Sequence, residues 1–358
     1  MKLLFVGTNR GGGGTENHFI SLTRAMKNAG HEVAALVHPN SVIHNGLKDS
    51  GVILFHGNFR NAFDPRGFFS LWRAGKSFQP DWIIGSYSKE YWPLAVMANM
   101  LKVKLALFKH MDYVMKPLTH RYIPQLADRF IVISNFMREQ FIKRGVPADR
   151  IQMLYNPLDL NHFHPDPELR LKSRAKLGYA DDDIVLGFVG AFHRDKGIYQ
   201  LADAANLAMT AVPKLKVLWV GGGYQADEFV SYTQNSEFGT RHQRQPWASD
   251  VREYFAAIDI LAFPTVGKET FGRASIEGQA CGVPVLCSDR GGIPETVKVG
   301  VTGLLLPPGD IALWKEAIIE LANNPELRAK MKAQGPIWVN EQFSEPMIAA
   351  KFTQLLQS

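Results

Sequence analysis

Short apolar runs bounded by glycine or polar residues recur along the chain, and segments with helical spacing lie between them. Such runs are typical of buried strands in a parallel sheet. The predicted strands are Lys2–Val6, Glu32–Val37, Trp82–Ile84, Lys104–Phe108, Arg129–Ile133, Ile184–Val189, Lys216–Val220, Ile260–Phe263 and Val283–Cys287. The predicted helices include Glu16–Asn28, Phe136–Arg144, Ala274–Cys281 and Ala312–Asn323. This alternation predicts an α/β protein whose parallel sheets have helices on both faces.

A proline-rich polar segment at His162–Glu168 interrupts this alternation of strands and helices, which resumes after it. We therefore predict two doubly wound, Rossmann-like domains that face a cleft, over residues 1–165 and 166–339, which suits a length of 358 residues. Ligands of such sheets bind beyond the carboxyl ends of the strands, and a cleft between domains is the default site. The loops that follow the strands are therefore the candidate sites.

The amino-acid composition excludes several classes of protein. Hydrophobic residues make up 46% of the chain and charged residues 21%, which excludes a disordered or fibrous protein. Two cysteines are too few for a disulfide framework. The longest apolar run, Ile184–Phe192, is too short for a membrane span, and the apolar start is too short for a signal peptide. We expect a soluble, cytoplasmic protein.

The charge is uneven along the chain. The net charge is +6, of which residues 1–165 carry +9 and the remaining residues −3. A basic half suits an acidic substrate, an anionic membrane surface or nucleic acid. The chain has no zinc finger, RNA-binding aromatic signature or basic tail, so we expect no nucleic-acid partner. A general contribution of the charge to solubility is the alternative.

Two loops after predicted strands suit phosphate. Gly11–Gly14 precedes the first helix, where glycines admit a ligand and the open amides of a helix start attract an anion. After the first strand of the second half come Arg194 and Lys196, a fork-shaped cation and a point charge that together suit a diphosphate. The alternatives are a mobile turn at the glycines and a solvated charged loop at the cations. Neither loop has a dinucleotide-binding or P-loop pattern.

The segment Lys268–Glu277 is the most informative. Glu269 stands before a glycine turn and Glu277 lies within the following helix. A carboxylate accepts two hydrogen bonds and can bind a vicinal diol, so the two glutamates could hold two sugars of one ligand. A helix with two surface glutamates has the same spacing.

These motifs together resemble the retaining GT-B glycosyltransferases of family GT4. The resemblance includes the glycine loop, Gly190…Arg194-x-Lys196-Gly197 and Glu269-x-Phe-Gly-x-x-x-x-Glu277. It continues through Gln279-Ala-Cys-Gly-Val-Pro-Val, Gly291-Gly292-Ile-Pro294-Glu295 and Gly303–Gly309. The second half is similar almost throughout. The first half is similar at the glycine loop, Phe108-Lys-His110, Val132-Ile-Ser134 and Tyr155–Asp159.

The resemblance implies a nucleotide-sugar donor bound mainly by the second domain. Glu277 would hold the ribose hydroxyls and Glu269 the transferred sugar. Arg194 and Lys196 would hold the diphosphate, and Gly12 and Gly13 would close over the phosphates. The remaining implied site residues are His110 near the anomeric carbon on the acceptor side, Thr270, Phe271 and Gly272 beside the donor, and Arg244 near the base. Helices at about 340–358 would return to the first domain.

The family's mechanism implies retention of anomeric configuration, with the leaving phosphate taking the acceptor's proton. No metal and no cofactor are then required. The three aspartates Asp181–Asp183 are interpreted as a surface turn and not as a metal-binding motif. Two positions depart from the family. Ala191 replaces an arginine that the family often has, for which Arg194 is a candidate substitute, and Pro157 follows Asn156 where the family usually has glycine.

The sequence contains fewer indications of the acceptor than of the donor. Phe59–Lys76 mixes aromatic residues with cations, which is typical of an interfacial helix on anionic lipid, although an amphipathic core helix with a basic outer face fits equally. We expect a lipid-linked or lipopolysaccharide-type glycan acceptor at the inner face of the cytoplasmic membrane. The alternatives are a sugar-nucleotide epimerase of the same fold or a non-catalytic sugar-nucleotide-binding protein.

Overall fold

The computed structural model describes residues 1–248 and 250–358, and the chain divides into two compact units. The first unit consists of residues 1–159 and 343–358, and the second consists of residues 160–342.

The division lies six residues before the predicted boundary between residues 165 and 166, and the chain returns to the first unit at residue 343, where about 340 was predicted. The first segment of the first unit ends at Asp159, whose carboxylate accepts a hydrogen bond from Arg24 of the same unit at 3.3 Å. The segment that follows belongs with the second unit, where the carboxylate of Asp166 caps a helix by accepting the Leu169 N–H at 2.9 Å.

Thirteen strands are present in the described part of the chain. They are β1 (Lys2–Gly7), β2 (Glu32–Val37), β3 (Ile53–His56), β4 (Trp82–Gly85), β5 (Lys104–Lys109), β6 (Arg129–Val132), β7 (Ile151–Met153), β8 (Ile184–Ala191), β9 (Leu215–Gly222), β10 (His242–Gln245), β11 (Ile260–Phe263), β12 (Val285–Ser288) and β13 (Gly303–Leu306).

The helices lie between these strands and at the end of the chain. They are α1 (Gly14–Asn28), α2 (Val42–Leu47), α3 (Pro65–Phe78), α4 (Tyr91–Leu101), α5 (Pro117–Leu126), α6 (Asn135–Lys143), α7 (Pro167–Leu177), α8 (Ile198–Ala211), α9 (Ala226–Gln234), α10 (Arg252–Ala257), α11 (Arg273–Ala280), α12 (Ile311–Asn323), α13 (Pro325–Phe343) and α14 (Glu345–Gln357).

Each unit contains one parallel sheet. The first sheet has the order β3-β2-β1-β4-β5-β6-β7, and the second has the order β10-β9-β8-β11-β12-β13. The order reverses between β1 and β4 in the first sheet and between β8 and β11 in the second. Such a reversal opens a crevice at the carboxyl edge of the sheet, where ligands bind. The predicted class of two doubly wound α/β domains is confirmed.

The second sheet is covered on both faces. Successive residues of β8, Val185 and Leu186, point into different core clusters because side chains alternate along a strand. Trp219 on β9 packs with the Leu186 cluster, while Leu218 packs with the Val185 cluster. Burial of both faces explains why these strands read as continuous apolar runs.

The C-terminal helix α14 packs in the first unit. Ile348 and Phe352 join the same buried cluster as Phe5, and the Phe352 ring lies 5.4 Å from that of Phe108. The Leu158 N–H donates to the Phe343 carbonyl at 2.8 Å, which holds the chain where it re-enters this unit. The predicted return of the final helix is confirmed.

None of the helices in the described ranges combines the length and apolar character that crossing a membrane requires.

Candidate functional site

Lys196 and Glu269 meet at the carboxyl edge of the second sheet. Lys196 ends a short 3₁₀ turn after β8, and Glu269 lies in the loop after β11. These strands are neighbours at the reversal of strand order, so their following loops come together. The Lys196 amine donates to the Glu269 carboxylate at 2.6 Å, and the two side chains are only 30% and 16% exposed. The structure thus brings together two residues that the sequence placed 73 positions apart.

A glycine allows the two loops to touch. Gly197 has a φ of +70°, and a Cβ atom there would lie 2.0 Å from the Pro264 carbonyl oxygen. The Asp195 carbonyl accepts the Val266 N–H at 2.9 Å across the same contact. Any larger residue at 197 would push these loops apart and move the amine of Lys196.

The start of α11 lies directly after Glu269. Gly272 stands at its N-cap with a φ of +98°, and no side chain in the described ranges caps the helix. The Thr270 N–H donates to the Glu269 carboxylate at 3.1 Å, and Phe271 is buried. These contacts fix the orientation of the Glu269 carboxylate beside the helix start.

Glu277 is the fifth residue of α11 and is largely buried, with its side chain 12% exposed. Burial raises the pKa of this carboxyl, although the Arg273 guanidinium, which donates to it at 2.7 Å, opposes that rise. Sequence reasoning did not include Arg273 in the site. Its i, i+4 spacing from Glu277 was the available signal.

Arg194 and Arg244, which were predicted to contact the diphosphate and the base, contact side chains of the second unit. The Arg194 guanidinium forms an exposed ion pair with Glu228 at 2.6 Å and lies 4.7 Å from the Tyr199 ring centroid. Arg244 lies on β10, with its guanidinium 5.7 Å from the Phe192 ring centroid. Sequence reasoning missed Glu228, because no local pattern links it to a residue 34 positions earlier.

The glycine loop of the first unit leads into α1. Gly12 and Gly13 stand just before this helix, and Gly13 is its N-cap. A Cβ atom at Gly13 would lie 3.4 Å from the Glu16 carboxylate, which accepts hydrogen bonds from Asn9 at 2.6 Å and Tyr87 at 3.0 Å. This negative charge beside Gly13 reduces the attraction of the helix start for a phosphate.

His110 follows β5 and is 7% exposed. Its ring lies 4.5 Å from that of His18 and 6.0 Å from that of Phe108. Within the described part of the chain, Nε2 has no hydrogen-bond partner. Burial, with a smaller contribution from the charge of Lys109, lowers the pKa of His110 to about 3. The imidazole is therefore neutral at neutral pH and can exchange a hydrogen bond with a hydroxyl.

A buried carboxyl that sequence reasoning missed stands at the same edge of the first sheet. Glu90 precedes α4 and is fully buried, and its Oε1 accepts the Thr8 N–H at 3.0 Å and the Thr8 hydroxyl at 2.5 Å. The Thr8 hydroxyl in turn accepts the Phe59 N–H at 3.1 Å. Burial raises the pKa of Glu90 to about 7, against the opposing hydrogen bonds from Thr8. No sequence pattern indicated this residue.

The chemistry of the second unit suits a ligand with hydroxyl groups and anionic oxygens. An ammonium group, two carboxylates and the amides of a helix start lie on the loops after two neighbouring strands and on the helix that follows. Carboxylates accept hydrogen bonds from sugar hydroxyls, and the amine and amides donate to phosphate.

Two family models match the chain. The model described as glycosyltransferase family 4 matches residues 12–162, and the model described as glycosyl transferases group 1 matches residues 170–338.

Curated relatives are similar to part of the chain. A GDP-mannose-dependent monoacylated alpha-(1-6)-phosphatidylinositol monomannoside mannosyltransferase of Corynebacterium glutamicum is 30% identical over 66% of this chain and 64% of its own length. A D-inositol 3-phosphate glycosyltransferase of Saccharomonospora viridis is 28% identical over 75% of this chain and 65% of its own length. The chain thus spans less than two thirds of these relatives.

Among solved structures, HepE of Anabaena in complex with UDP has a TM-score of 0.84 and covers 100% of both chains. Its sequence is 21% identical, so this likeness shows a shared fold.

Proposed function

The chain belongs to family 4 of the glycosyltransferases, and on that premise we propose that it is a retaining enzyme that moves a sugar from a UDP- or GDP-sugar to a glycan acceptor. The observation that supports this most is the contact of Lys196 with Glu269 at 2.6 Å. A cation and a carboxylate thus lie side by side on the loops of two adjacent strands, and this pair could bind a diphosphate and the hydroxyls of the sugar linked to it.

In this proposal the second unit binds the donor. Lys196 contacts the diphosphate, assisted by the backbone of Phe271 and Gly272 at the start of α11. Glu269 and the neighbouring Thr270 contact the transferred sugar. Arg244 lies near the base, and Arg194 contacts the diphosphate only if it leaves Glu228. Gly12 and Gly13 are proposed to contact the phosphates. His110 is proposed to lie near the anomeric carbon, on the acceptor side.

Glu277 is proposed to hold the ribose hydroxyls of the donor. Its burial restricts the carboxylate to one orientation, and Arg273 neutralises part of its charge at 2.7 Å. A carboxylate held in this way accepts two hydrogen bonds from a vicinal diol.

The reaction breaks the bond between the anomeric carbon and the diphosphate oxygen. Negative charge grows on the diphosphate while the sugar becomes oxocarbenium-like, and the Lys196 ammonium stabilises that charge more in the transition state than in the ground state. The acceptor hydroxyl attacks on the same face, and its proton passes to the leaving phosphate oxygen. The buried, neutral His110 can orient the hydroxyl through Nε2, which has no hydrogen-bond partner among the residues that the structure describes. We propose that this step uses neither a metal nor a cofactor.

The test of the proposal is release of free nucleotide from a panel of UDP-, GDP- and ADP-sugars. A transferase is expected to release nucleotide slowly from one donor by hydrolysis. A suitable glycan acceptor should accelerate this release, because the sugar is then transferred to the acceptor. Tight donor binding without turnover would indicate a binding protein, and a changed sugar on an intact nucleotide would indicate an epimerase.

Replacing Glu277 with alanine is expected to weaken nucleotide diphosphate binding about 10- to 100-fold, because the ribose loses hydrogen bonds to a charged acceptor. Isothermal titration calorimetry measures this change. Glu316→Ala on α12 removes an exposed glutamate of the same unit and serves as the matched control. Unchanged affinity in Glu277→Ala would remove the ribose assignment.

We further propose a lipid-linked or lipopolysaccharide-type acceptor, used at the inner face of the cytoplasmic membrane. Residues 1–165 carry a net charge of +9, and the name of the relative from Corynebacterium includes a phosphatidylinositol monomannoside. Flotation with phosphatidylglycerol vesicles is expected at low salt and is expected to fall as salt screens the charge. Equal recovery with phosphatidylcholine vesicles, or none at low salt, would count against a membrane surface.

A further inference from the structure

A large cavity lies in the first unit between α3, α4 and the segment that leads into α5. Its volume is about 1790 Å³, well above the roughly 300–1,000 Å³ of sites for drug-sized ligands. The walls are mainly apolar and include the side chains of Phe68, Phe69, Trp72, Trp92, Val96 and Met115.

Apolar side chains of this lining remain open to solvent. Phe63 is 93% exposed, Val114 is 76% exposed and Leu118 is 68% exposed. The Phe69 and Trp72 rings stack on each other at 5.9 Å, which gives one wall an extended flat surface. Contiguous exposed apolar surface of this kind marks a binding site for another apolar molecule.

A buried cation lies on the wall of the same cavity. Lys109, the last residue of β5, lines this cavity and is 6% exposed. Among residues 1–248 and 250–358 its amine forms no ion pair within 4.0 Å and no hydrogen bond, although the Asp112 carboxylate attracts it from a longer distance. Burial lowers the pKa of this lysine, and the charge of the Asp112 carboxylate opposes that shift. The Asp112 carboxylate is itself paired with the Arg144 guanidinium at 2.6 Å. An anion that entered the cavity would therefore supply a direct contact that the Lys109 amine lacks.

The rest of the charged lining favours an anion as well. Arg60, Lys89 and Lys116 also line the cavity. Asp64 is an acidic residue of the lining, but its carboxylate accepts the N–H groups of Arg60 and Arg66, each at 3.0 Å, within its own turn. The cavity therefore combines apolar walls with an excess of positive charge.

We propose that this cavity binds the hydrocarbon chain of a phosphate-bearing lipid acceptor, with Lys109 in contact with the phosphate and the aromatic walls in contact with the chain. The inference rests on the proposed function, since His110, the next residue, is proposed for the acceptor side. A single lipid molecule fits better than a bilayer surface, because Lys109 lines the cavity and is only 6% exposed, so a planar bilayer would not reach it.

The experiment measures binding of hexyl, octyl and decyl phosphate to the full chain by calorimetry, below the micelle concentration of each. Affinity is expected to rise about fourfold for each added methylene group that is buried. Val96→Asp places a charge on the wall and is expected to weaken decyl phosphate binding at least about 10-fold. Lys109→Met is expected to weaken decyl phosphate about 10-fold or more while leaving uncharged decyl glucoside unchanged.

The matched control residues lie on α3 and α4, the two helices beside the cavity, but do not line it. Met100→Asp changes an exposed residue of α4, and Lys76→Met removes a charge from α3. Both are expected to bind decyl phosphate as the unmodified protein does. Phe69→Asp provides a second wall variant if Val96→Asp lowers the melting temperature.

Three results would overturn the inference. Affinity independent of chain length, or equal to that of inorganic phosphate, would exclude a hydrocarbon site. Unchanged binding in Val96→Asp and Lys109→Met would place the lipid elsewhere. Capture by phosphatidylglycerol vesicles without binding of monomeric decyl phosphate would indicate a bilayer contact. Donor hydrolysis, measured on the same samples, reports separately whether the proposed function fails.

Discussion

Replacing Lys196 with methionine is expected to lower kcat/KM for sugar transfer about 10²- to 10³-fold, the range seen when one fixed donor to a developing negative charge is removed. The ammonium group is held at 2.6 Å from Glu269 by loops that Gly197 allows to touch, so its position is fixed before the bond breaks. Because the diphosphate gains charge only as the bond breaks, the loss is expected mainly in kcat. Steady-state kinetics and donor affinity measured on the same variant check this division.

Arg194→Met is the matched control, since it removes a cation from the same turn. Arg194 is 66% exposed and paired with Glu228, and an exposed pair of this kind contributes little, so we expect less than about a fivefold change. A loss as large as that of Lys196→Met would mean that Arg194 leaves Glu228 and replaces the arginine absent at Ala191. An unchanged kcat in Lys196→Met would remove the lysine from the mechanism.

Replacing Glu90 with glutamine is expected to remove a pH dependence of about 3 kcal/mol from the stability of the first unit. Burial raises the pKa of this carboxyl from an ordinary value of 4.5 to about 7, so between these values the folded protein holds a proton that the unfolded chain has lost. The contribution is fully present below pH 4.5 and is lost as pH rises through 7. The stability of the unmodified protein relative to Glu90→Gln should therefore fall over this range.

Hydrogen exchange of peptides from β1 and β4 between pH 4.5 and 8.5 measures this difference in the unit that contains Glu90. Groups shared by the two proteins cancel in the comparison, and the glutamine can still accept the two hydrogen bonds from Thr8. Glu139→Gln, at an exposed position of α6, should show the same pH profile as the unmodified protein. Parallel profiles for Glu90→Gln and the unmodified protein would mean that Glu90 ionises normally.

The strands that sequence reasoning did not predict share one structural property. They are β3, β7, β10 and β13, the two edges of each sheet. An edge strand pairs on one side only and is less covered, so it can be polar, as β10 is. The edge strands β3 (Ile-Leu-Phe-His) and β13 (Gly-Leu-Leu-Leu) are largely apolar, and sequence reasoning did not assign them. The residues of β10, His-Gln-Arg-Gln, are polar throughout and are partly or fully exposed. The interior strands were all predicted, because burial on both faces requires a nearly continuous apolar run.

The candidate site divides in a similar way. Lys196, Glu269 and Glu277 belong to local motifs, so the sequence indicated them. Glu90 and Lys109 did not stand out, because a carboxyl and an amine have unusual environments only once packing has removed their water.

The sequence by itself determined the two doubly wound units, the interior strands and the loops that hold the proposed donor site. It could do so because each follows from residues close together in the chain. The tertiary structure alone decided that Lys196 contacts Glu269 while Arg194 contacts Glu228, and that Glu90 and Lys109 are buried. These contacts join residues far apart in sequence, or depend on burial by several elements at once, and a linear pattern contains neither kind of information.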